Sequence, residues 1–321
     1  MAFSLADHWV WDFWVADDGS LFHLFYLHAP RSLGDQNLRH RNARIGHATS
    51  PDLVTWTNHG LAFPAGPPGS FDGSATWTGS VVRGPDGRWR MYYTGSRFLT
   101  PGSNANVETI GLAVSDDLYT WTKRPGPILT ADARWYETLG SSSWPEEAWR
   151  DPWVYPAADG ETWHMLITAR ANHGDELDRG VVGHATSTDL EHWTAGPPRS
   201  SVGSGFAHLE VLELVTIGDR HYAIFCCDSP RLAGKRSRRS GGIWYMRADT
   251  PSGPFRAEDA LLLAGEELYA GRLVRDRSGN WHLMGFLNAA GTAFTGGISD
   301  PLAIVHDAAS GSLMLAEKVF L

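Results

Sequence analysis

The stretch Ile45-Gly-His-Ala-Thr-Ser-Pro-Asp-Leu-Val-Thr-Trp-Thr57 is written three times in this chain. It returns as Ile110-Gly-Leu-Ala-Val-Ser-Asp-Asp-Leu-Tyr-Thr-Trp-Thr122 and as Val182-Gly-His-Ala-Thr-Ser-Thr-Asp-Leu-Glu-His-Trp-Thr194. Ser50, Ser115 and Ser187 align, as do Trp56, Trp121 and Trp193. Each copy reads as a strand of β-branched and small residues, a Ser-x-Asp turn, and a short strand carrying the Trp. Self-similarity at such a period means a stack or ring of like units. Two weaker echoes follow, Gly242-Ile-Trp-Tyr-Met-Arg-Ala-Asp249 and Pro301-Leu-Ala-Ile-Val-His306. Five units of roughly 64 residues fill the chain, the size of a four-stranded propeller blade with long loops.

Working outward from the repeat, a hairpin precedes every copy: an aromatic-headed strand, a Gly turn, and a strongly apolar strand. The hairpins turn at Gly19, Gly87, Gly160, Gly218 and Gly279, where Asx-Gly, Ser-Gly or Gly-Asx pairs supply the positive φ that tight turns need. The sequence therefore predicts an all-β fold, a single five-bladed β-propeller over residues 1–321 with four antiparallel strands per blade. Blades are expected to start near residues 9, 77, 149, 209 and 269.

Composition agrees. Fifteen Trp and 35 Gly in 321 residues suit short strands and turns, and 42% hydrophobic residues allow a large core. A net charge of −9 argues against a nucleic-acid partner. There is no charged-then-apolar leader and no apolar run of about 18 residues, so the expectation is a soluble cytoplasmic protein without a membrane partner. Cys226 and Cys227 are the only cysteines, and adjacent residues make a poor disulfide, which fits a reducing compartment.

The first strand of each blade is expected to line the central channel. Aligned on the turn glycines, the equivalent inner positions are Asp12, Gly79, Asp151, Glu210 and Gly271. Three of the five are carboxylates, and acids facing a common, poorly solvated opening are costly unless used.

These residues carry a resemblance. Val10-Trp-Asp-Phe-Trp14 looks like the nucleophile motif of levansucrases, glycoside hydrolase family 68. Leu21-Phe-His-Leu-Phe-Tyr-Leu-His-Ala-Pro30, the first copy of the repeat, and Phe71-Asp-Gly-Ser-Ala-Thr-Trp-Thr-Gly-Ser80 resemble segments of invertases, inulinases and levanases, glycoside hydrolase family 32. Arg150-Asp-Pro152 matches a motif common to both families, and Glu210 falls where their acid/base glutamate would be. The family 32 pattern has Gln where Leu27 stands and Cys where Val211 stands, and its usual C-terminal β-sandwich is not expected here. The resemblance implies a retaining glycosidase or transglycosylase acting on β-fructofuranosides. In that reading Asp12, beside Trp11 and Trp14 at the mouth, is the ionised nucleophile. Glu210, its pKa raised by burial and two neighbouring acids, is the proton donor, and Asp151, held ionised by Arg150, grips ring hydroxyls. An inverting pentosidase resembling family 43 and a non-catalytic carbohydrate-binding propeller are the alternatives.

Around these acids, Trp11 and Trp77 are candidates for the floor of the sugar pocket, and Tyr269 for a hydrogen bond to the nucleophile. His208 is a candidate for the rim, as is the segment Ala131–Trp149. Trp56, Trp121 and Trp193 recur with the repeat and are expected in the core, and His47 and His184 are expected to be structural. Fourteen His form no His-Glu-x-x-His or similar pattern, so no metal is expected. No Gly-rich loop opens a helix, so no nucleotide cofactor is expected. The basic run Arg231…Arg239 reads as a solvated loop. The expected partner is a fructose-containing oligosaccharide or related furanoside, and the sequence does not specify an oligomeric state.

Overall fold

The repeated stretch folds as a corner between strands, and its spelling follows from hydrogen bonds. In the computed structural model, which describes residues 2–290 and 293–316, Ser50, Ser115 and Ser187 each end a strand. Each donates its hydroxyl to the Asp two positions on, at 2.9, 3.0 and 3.1 Å. That Asp in turn accepts the backbone N–H groups two and three residues further, at 2.7–2.9 Å in all three copies. The next residue, Leu53, Leu118 or Leu190, is forced to φ 66°. Its carbonyl accepts the indole N–H of Trp56 and of Trp121 in the first two copies. Trp121 and Trp193 are buried, whereas Trp56 is only half-buried and packs on the core from its edge. The repeat's glycine is equally constrained: a Cβ at Gly46, Gly111 or Gly183 would run into Tyr26, Tyr93 or Ala169 on the neighbouring strand.

The corners close five four-stranded antiparallel sheets. Blade 1 comprises His8–Asp17, Phe22–Pro30, Arg44–Ser50 and Thr57–Leu61, and blade 2 comprises Ala75–Arg83, Trp89–Phe98, Asn106–Ser115 and Thr122–Lys123. Blade 3 comprises Trp149–Pro156, Trp163–Arg170, Gly180–Ser187 and Thr194–Gly196. Blade 4 has Glu210–Ile217, Arg220–Cys227, Gly242–Ala248 and Leu261–Gly265, and blade 5 has Leu268–Arg275, Trp281–Leu287, Leu302–Asp307 and Ser312–Leu315. The inner strands begin within two residues of the positions expected from the repeat. Glu146–Glu147 adds a short parallel strand beside Asn106–Val107 of blade 2. Blade 5 meets the start of the chain where Phe3 and Ile298 exchange backbone hydrogen bonds of 2.8 Å. Among the described residues helix occurs only as 3₁₀ turns, and no helix is long and apolar enough to cross a membrane.

The core lies between neighbouring blades, with Trp14, Trp149 and Trp244 wholly buried. His47 and His184, from the same repeat position, each bond the imidazole of the preceding strand: His23 at 3.0 Å and His164 at 2.9 Å. His47 also stacks on Phe25, with ring centroids 4.8 Å apart. Burial holds the pKa of both His47 and His184 down at about 3 and that of His28 at about 4. A histidine whose folded pKa lies below its unfolded value stabilises the fold fully above pH 6.5, and that contribution is lost as pH falls toward the folded pKa.

His47→Phe should therefore flatten the fall of unfolding free energy between pH 6 and 4 by up to about 1.4 kcal/mol per pH unit, one proton's worth. Denaturant melts at several pH values measure this. A slope equal to wild type would mean that His47 is already charged in the fold.

Candidate active site

Every inner strand carries a β-bulge at one level, and the bulge creates the site. The pairing slips between Trp11 and Phe13, Trp77 and Gly79, Arg150 and Trp153, Glu210 and Glu213, and Tyr269 and Arg272. The residue at the start of the bulge is Asp12, Thr78, Asp151, Val211 or Ala270, and four of these five have positive φ: Asp12 24°, Asp151 56°, Val211 56° and Ala270 48°. Positive φ in a non-glycine residue costs of order 1–2 kcal/mol and clusters at functional sites. This register corrects the alignment on turn glycines. Asp12 and Asp151 are equivalent, but Glu210 stands one residue earlier, level with Trp11, Trp77, Arg150 and Tyr269. Adjacent residues of a strand point to opposite faces, and the bulge re-aims them so that both levels serve one opening.

That opening is a pocket of about 520 Å³. It is lined by all eight residues the sequence singled out: Trp11, Asp12, Trp77, Arg150, Asp151, His208, Glu210 and Tyr269. Thr78 donates its hydroxyl to Asp12 Oδ2 at 2.6 Å. Thr168 Oγ1 and the Val211 amide donate to Asp151 Oδ2 at 2.9 and 3.1 Å. Trp77 is fixed by its indole N–H on the His40 carbonyl at 2.8 Å and meets Phe98 edge-on.

Arg150 organises the other wall. Its Nη1 donates to Glu108 Oε2 at 2.9 Å and reaches Glu146 Oε1 at 3.4 Å, while Nη2 donates to Glu210 Oε1 at 2.8 Å. Asp151 is only a lateral neighbour, 3.6 Å from Nε, so Arg150 holds Glu210 and not, as expected, Asp151. Tyr269 likewise donates to Glu210 Oε2, at 2.7 Å, and not to Asp12. Arg150 Nη2 also donates to His208 Nδ1 at 3.4 Å, and the Nε2 of that ring lies 3.3 Å from Glu210 Oε2.

The charges fall opposite to expectation. Burial, reinforced by Asp151 and Glu210, raises Asp12 to about 7 despite the Thr78 hydroxyl. Burial opposes ionisation of Glu210 too, but His208, Arg150 and Tyr269 outweigh it and hold the carboxyl down at about 2. Asp151 is also raised, chiefly by burial, with Arg150 opposing. The surroundings thus oppose ionisation of the nucleophile candidate and favour it at the acid candidate. The reason is geometric: the guanidinium lies against Glu210 and away from Asp12.

Other corrections concern the surroundings. The run Arg231…Arg239 is not wholly solvated. Arg236 is buried, donating to Ser204 and Glu258 carbonyls at 3.1 and 2.9 Å and lying 4.6 Å from the Phe206 ring. Arg231 lines the pocket 5.1 Å from the Trp144 ring. The segment Ala131–Trp149 brings Trp144 and Glu146 to the same wall, with Arg170 stacked 3.6 Å from Trp144. Thr78 and Glu108 were missed. Thr78 was signalled by its repeat position, but Glu108 lies 42 residues from the Arg150 it meets and carries no local signal.

His208, Cys227 and Asp228 place donor atoms within 4.8 Å of one another, the one grouping among the described residues with the makings of a metal site. Its outer contacts are wrong for a metal. A ligating imidazole donates its far N–H to an acceptor, whereas here Arg150 donates to that far nitrogen.

Residues 15–295 match the family model described as the glycosyl hydrolases family 32 N-terminal domain. The chain is 27% identical over 295 residues to a sucrose-6-phosphate hydrolase of Escherichia coli, covering 86% of this chain and 55% of that one. It is 27% identical over 327 residues to an Escherichia coli raffinose invertase, covering 96% and 60%. The chain thus spans little more than half the length of these relatives. Among solved structures, inulosucrase from Halalkalicoccus jeotgali bound to kestose superposes with a TM-score of 0.80 at 21% identity, covering 95% of this chain and 86% of that one. Bacillus subtilis levansucrase does so with 0.78 at 13% identity, covering 99% and 88%. At these identities the structures speak for the fold alone.

Because the Tyr269 hydroxyl stabilises ionised Glu210, Tyr269→Phe should raise the Glu210 midpoint by about one unit, the worth of one hydrogen bond to a charged group. Carbon-13 NMR of glutamate-labelled protein, with Glu210→Gln to assign the resonance, reads this directly. An unmoved midpoint would mean that Arg150 alone sets the charge.

Proposed function

The chain belongs to glycosyl hydrolase family 32, and from that premise we propose that it is a retaining β-fructofuranosidase acting by hydrolysis or by transfer to another sugar. The observation that carries the reading is the convergence of Asp12, Asp151 and Glu210 on one pocket, two of them on strained bulges. The names of its relatives, which include sucrose-6-phosphate hydrolase, invertases and a fructan exohydrolase, support a fructose-containing saccharide as substrate. We take the five blades, residues 1–321, as one catalytic unit. We place it in the cytoplasm, since Cys226 and Cys227 are buried free thiols.

Furanoside cleavage passes through an oxocarbenium-like state and needs one ionised and one protonated carboxyl across the bond. Asp12 attacks the anomeric carbon and displaces the leaving oxygen, which takes the proton of Glu210. Glu210 then accepts a proton from water, or from an acceptor hydroxyl, as that oxygen displaces Asp12. Asp151 has Oδ2 occupied by Thr168 and Val211; its other oxygen binds ring hydroxyls, and those bonds strengthen as positive charge grows. Trp11 and Trp77 supply the apolar wall.

The protein's own charges favour the reverse distribution of the shared proton, and Asp12 and Glu210 titrate as a pair whose midpoints belong to the pair. The competent form holds one proton between them. A fructosyl ring over Asp12 favours that carboxylate as charge develops, and an aglycone beside Glu210 excludes water from it. With the pair's midpoints near 2 and 7, kcat/KM should be bell-shaped and fall about tenfold per unit well above pH 7.

Asp151→Asn should lower kcat by roughly 10³-fold with the melting temperature little changed. Retention of more than a tenth of wild-type activity would reassign Asp151 as structural. Glu210→Gln should cripple sucrose-like substrates yet spare glycosylation by an activated aryl fructoside, with azide restoring turnover and giving a retained adduct. Asp12→Asn should show neither effect. Rescue of Asp12→Asn alone would exchange the two roles, and inverted product from wild type would favour the family 43-like pentosidase mechanism. An Asp12→Ala protein unchanged in every property would mean a carbohydrate-binding propeller.

A further inference from the structure

Arg272, on the inner strand of blade 5, is 1% exposed and among the described residues makes no ion pair. Its contacts fall next to the three acids. Nε donates to the carbonyl of Phe13, the residue after Asp12, at 3.2 Å. Nη1 donates to the carbonyls of Val211 and Leu212, the two residues after Glu210, at 3.4 and 2.7 Å. The guanidinium carbon lies 4.9 Å from the ring of Trp153, two residues after Asp151. Among the described residues one donor atom, Nη2, has no hydrogen-bond partner. A buried cation held by carbonyls and an aromatic face is expensive, and an apolar side chain would fill the same space without that cost. At longer range the charge acts on the buried groups that interact with it, Glu213 first and then Asp151, the Cys226 thiol and Asp12.

We propose that Arg272 is a positioning residue for the site: one guanidinium ties the three acid-bearing strands of blades 1, 3 and 4 at a fixed spacing and provides the positive charge against which Asp12 and Asp151 ionise. The inference rests on the roles assigned to these acids above. It accounts for two facts together. Arg150 stands on Glu210's side of the pocket and leaves Asp12 without a strong counter-charge. The guanidinium that touches the Asp12 strand comes instead from blade 5. Around Asp12 the other charged groups are Asp151, Glu210 and Arg39, so Arg39 is the cation against which the effect of Arg272 is to be separated.

The test compares Arg272→Met, of similar length without charge, and Arg272→Lys, which keeps the charge but loses the fan of donors. The first readout is the Asp12 midpoint from pH-difference infrared spectra, assigned by subtracting Asp12→Asn; it does not depend on turnover. Arg272→Met should raise this midpoint by about one unit, move the alkaline limb of kcat/KM upward by the same amount, and lower kcat roughly a hundredfold. Arg272→Lys should leave the midpoint within about 0.3 unit of wild type yet lower kcat about tenfold, because one ammonium cannot span the three strands. An unmoved midpoint in Arg272→Met would leave Arg272 a packing residue and overturn the proposal. Wild-type kcat in Arg272→Lys would overturn the spacing half of it. If Arg272→Met fails to fold, Arg272→Gln supplies the neutral variant and is read the same way. A wild type inactive on every fructoside would refute the assigned activity, while the infrared titration would still decide the effect of Arg272 on Asp12.

Discussion

Carboxyls crowded into a poorly solvated pocket cannot all be charged at once, and this constraint governs the site. Glu108, Glu146, Asp151 and Glu210 gather around the guanidinium of Arg150, and Asp12 shares the pocket with Asp151 and Glu210. Like charges at such range, away from bulk water, force protons onto some members. Which members carry them depends on where the guanidinium lies. Burial pushes Glu108 and Asp12 up to about 8 and 7, with Arg150 opposing the rise at Glu108, whereas at Glu210 the effects of His208, Arg150 and Tyr269 outweigh burial. In the proposed reaction a bound substrate redistributes one proton across the pocket.

The fold was legible because the repeat is a local device. Ser50, Asp52, Leu53 and Trp56 bond one another within seven residues, so their spelling survives in each copy and can be read without knowing the tertiary structure. Asp12 and Asp151 were legible for a related reason, since each blade restates its inner strand shortly before a glycine turn, with Asp12 before Gly19 and Asp151 before Gly160. Glu210 was found but placed in the wrong register. A bulge inserts one residue into the count, and a turn glycine fixes only one end of a strand.

The electrostatics were not legible. Arg150 is adjacent to Asp151 in sequence, and adjacency suggested a pair, yet its strong partners come from residues 42 positions before it and 60 after it. The same blindness applies to Arg236, which sits in a run of basic residues yet is buried, because its partners are carbonyls and an aromatic ring supplied by loops and a 3₁₀ turn far along the chain. A charge pattern along the chain reports composition, and the sign of a pKa shift depends on which charges folding brings into contact.

The bulge repeats at one level in all five blades, but only two of the five equivalent positions hold an acid. Thr78, Val211 and Ala270 occupy the same bulge position without a titratable group, and Val211 and Ala270 keep the positive φ although nothing in their side chains asks for it. The architecture thus offers equivalent sockets around a common centre, four of which place a side chain in the pocket lining. Descent from a duplicated blade would leave such sockets behind. They give this scaffold latitude to move a functional group from one blade to the next without rebuilding the ring.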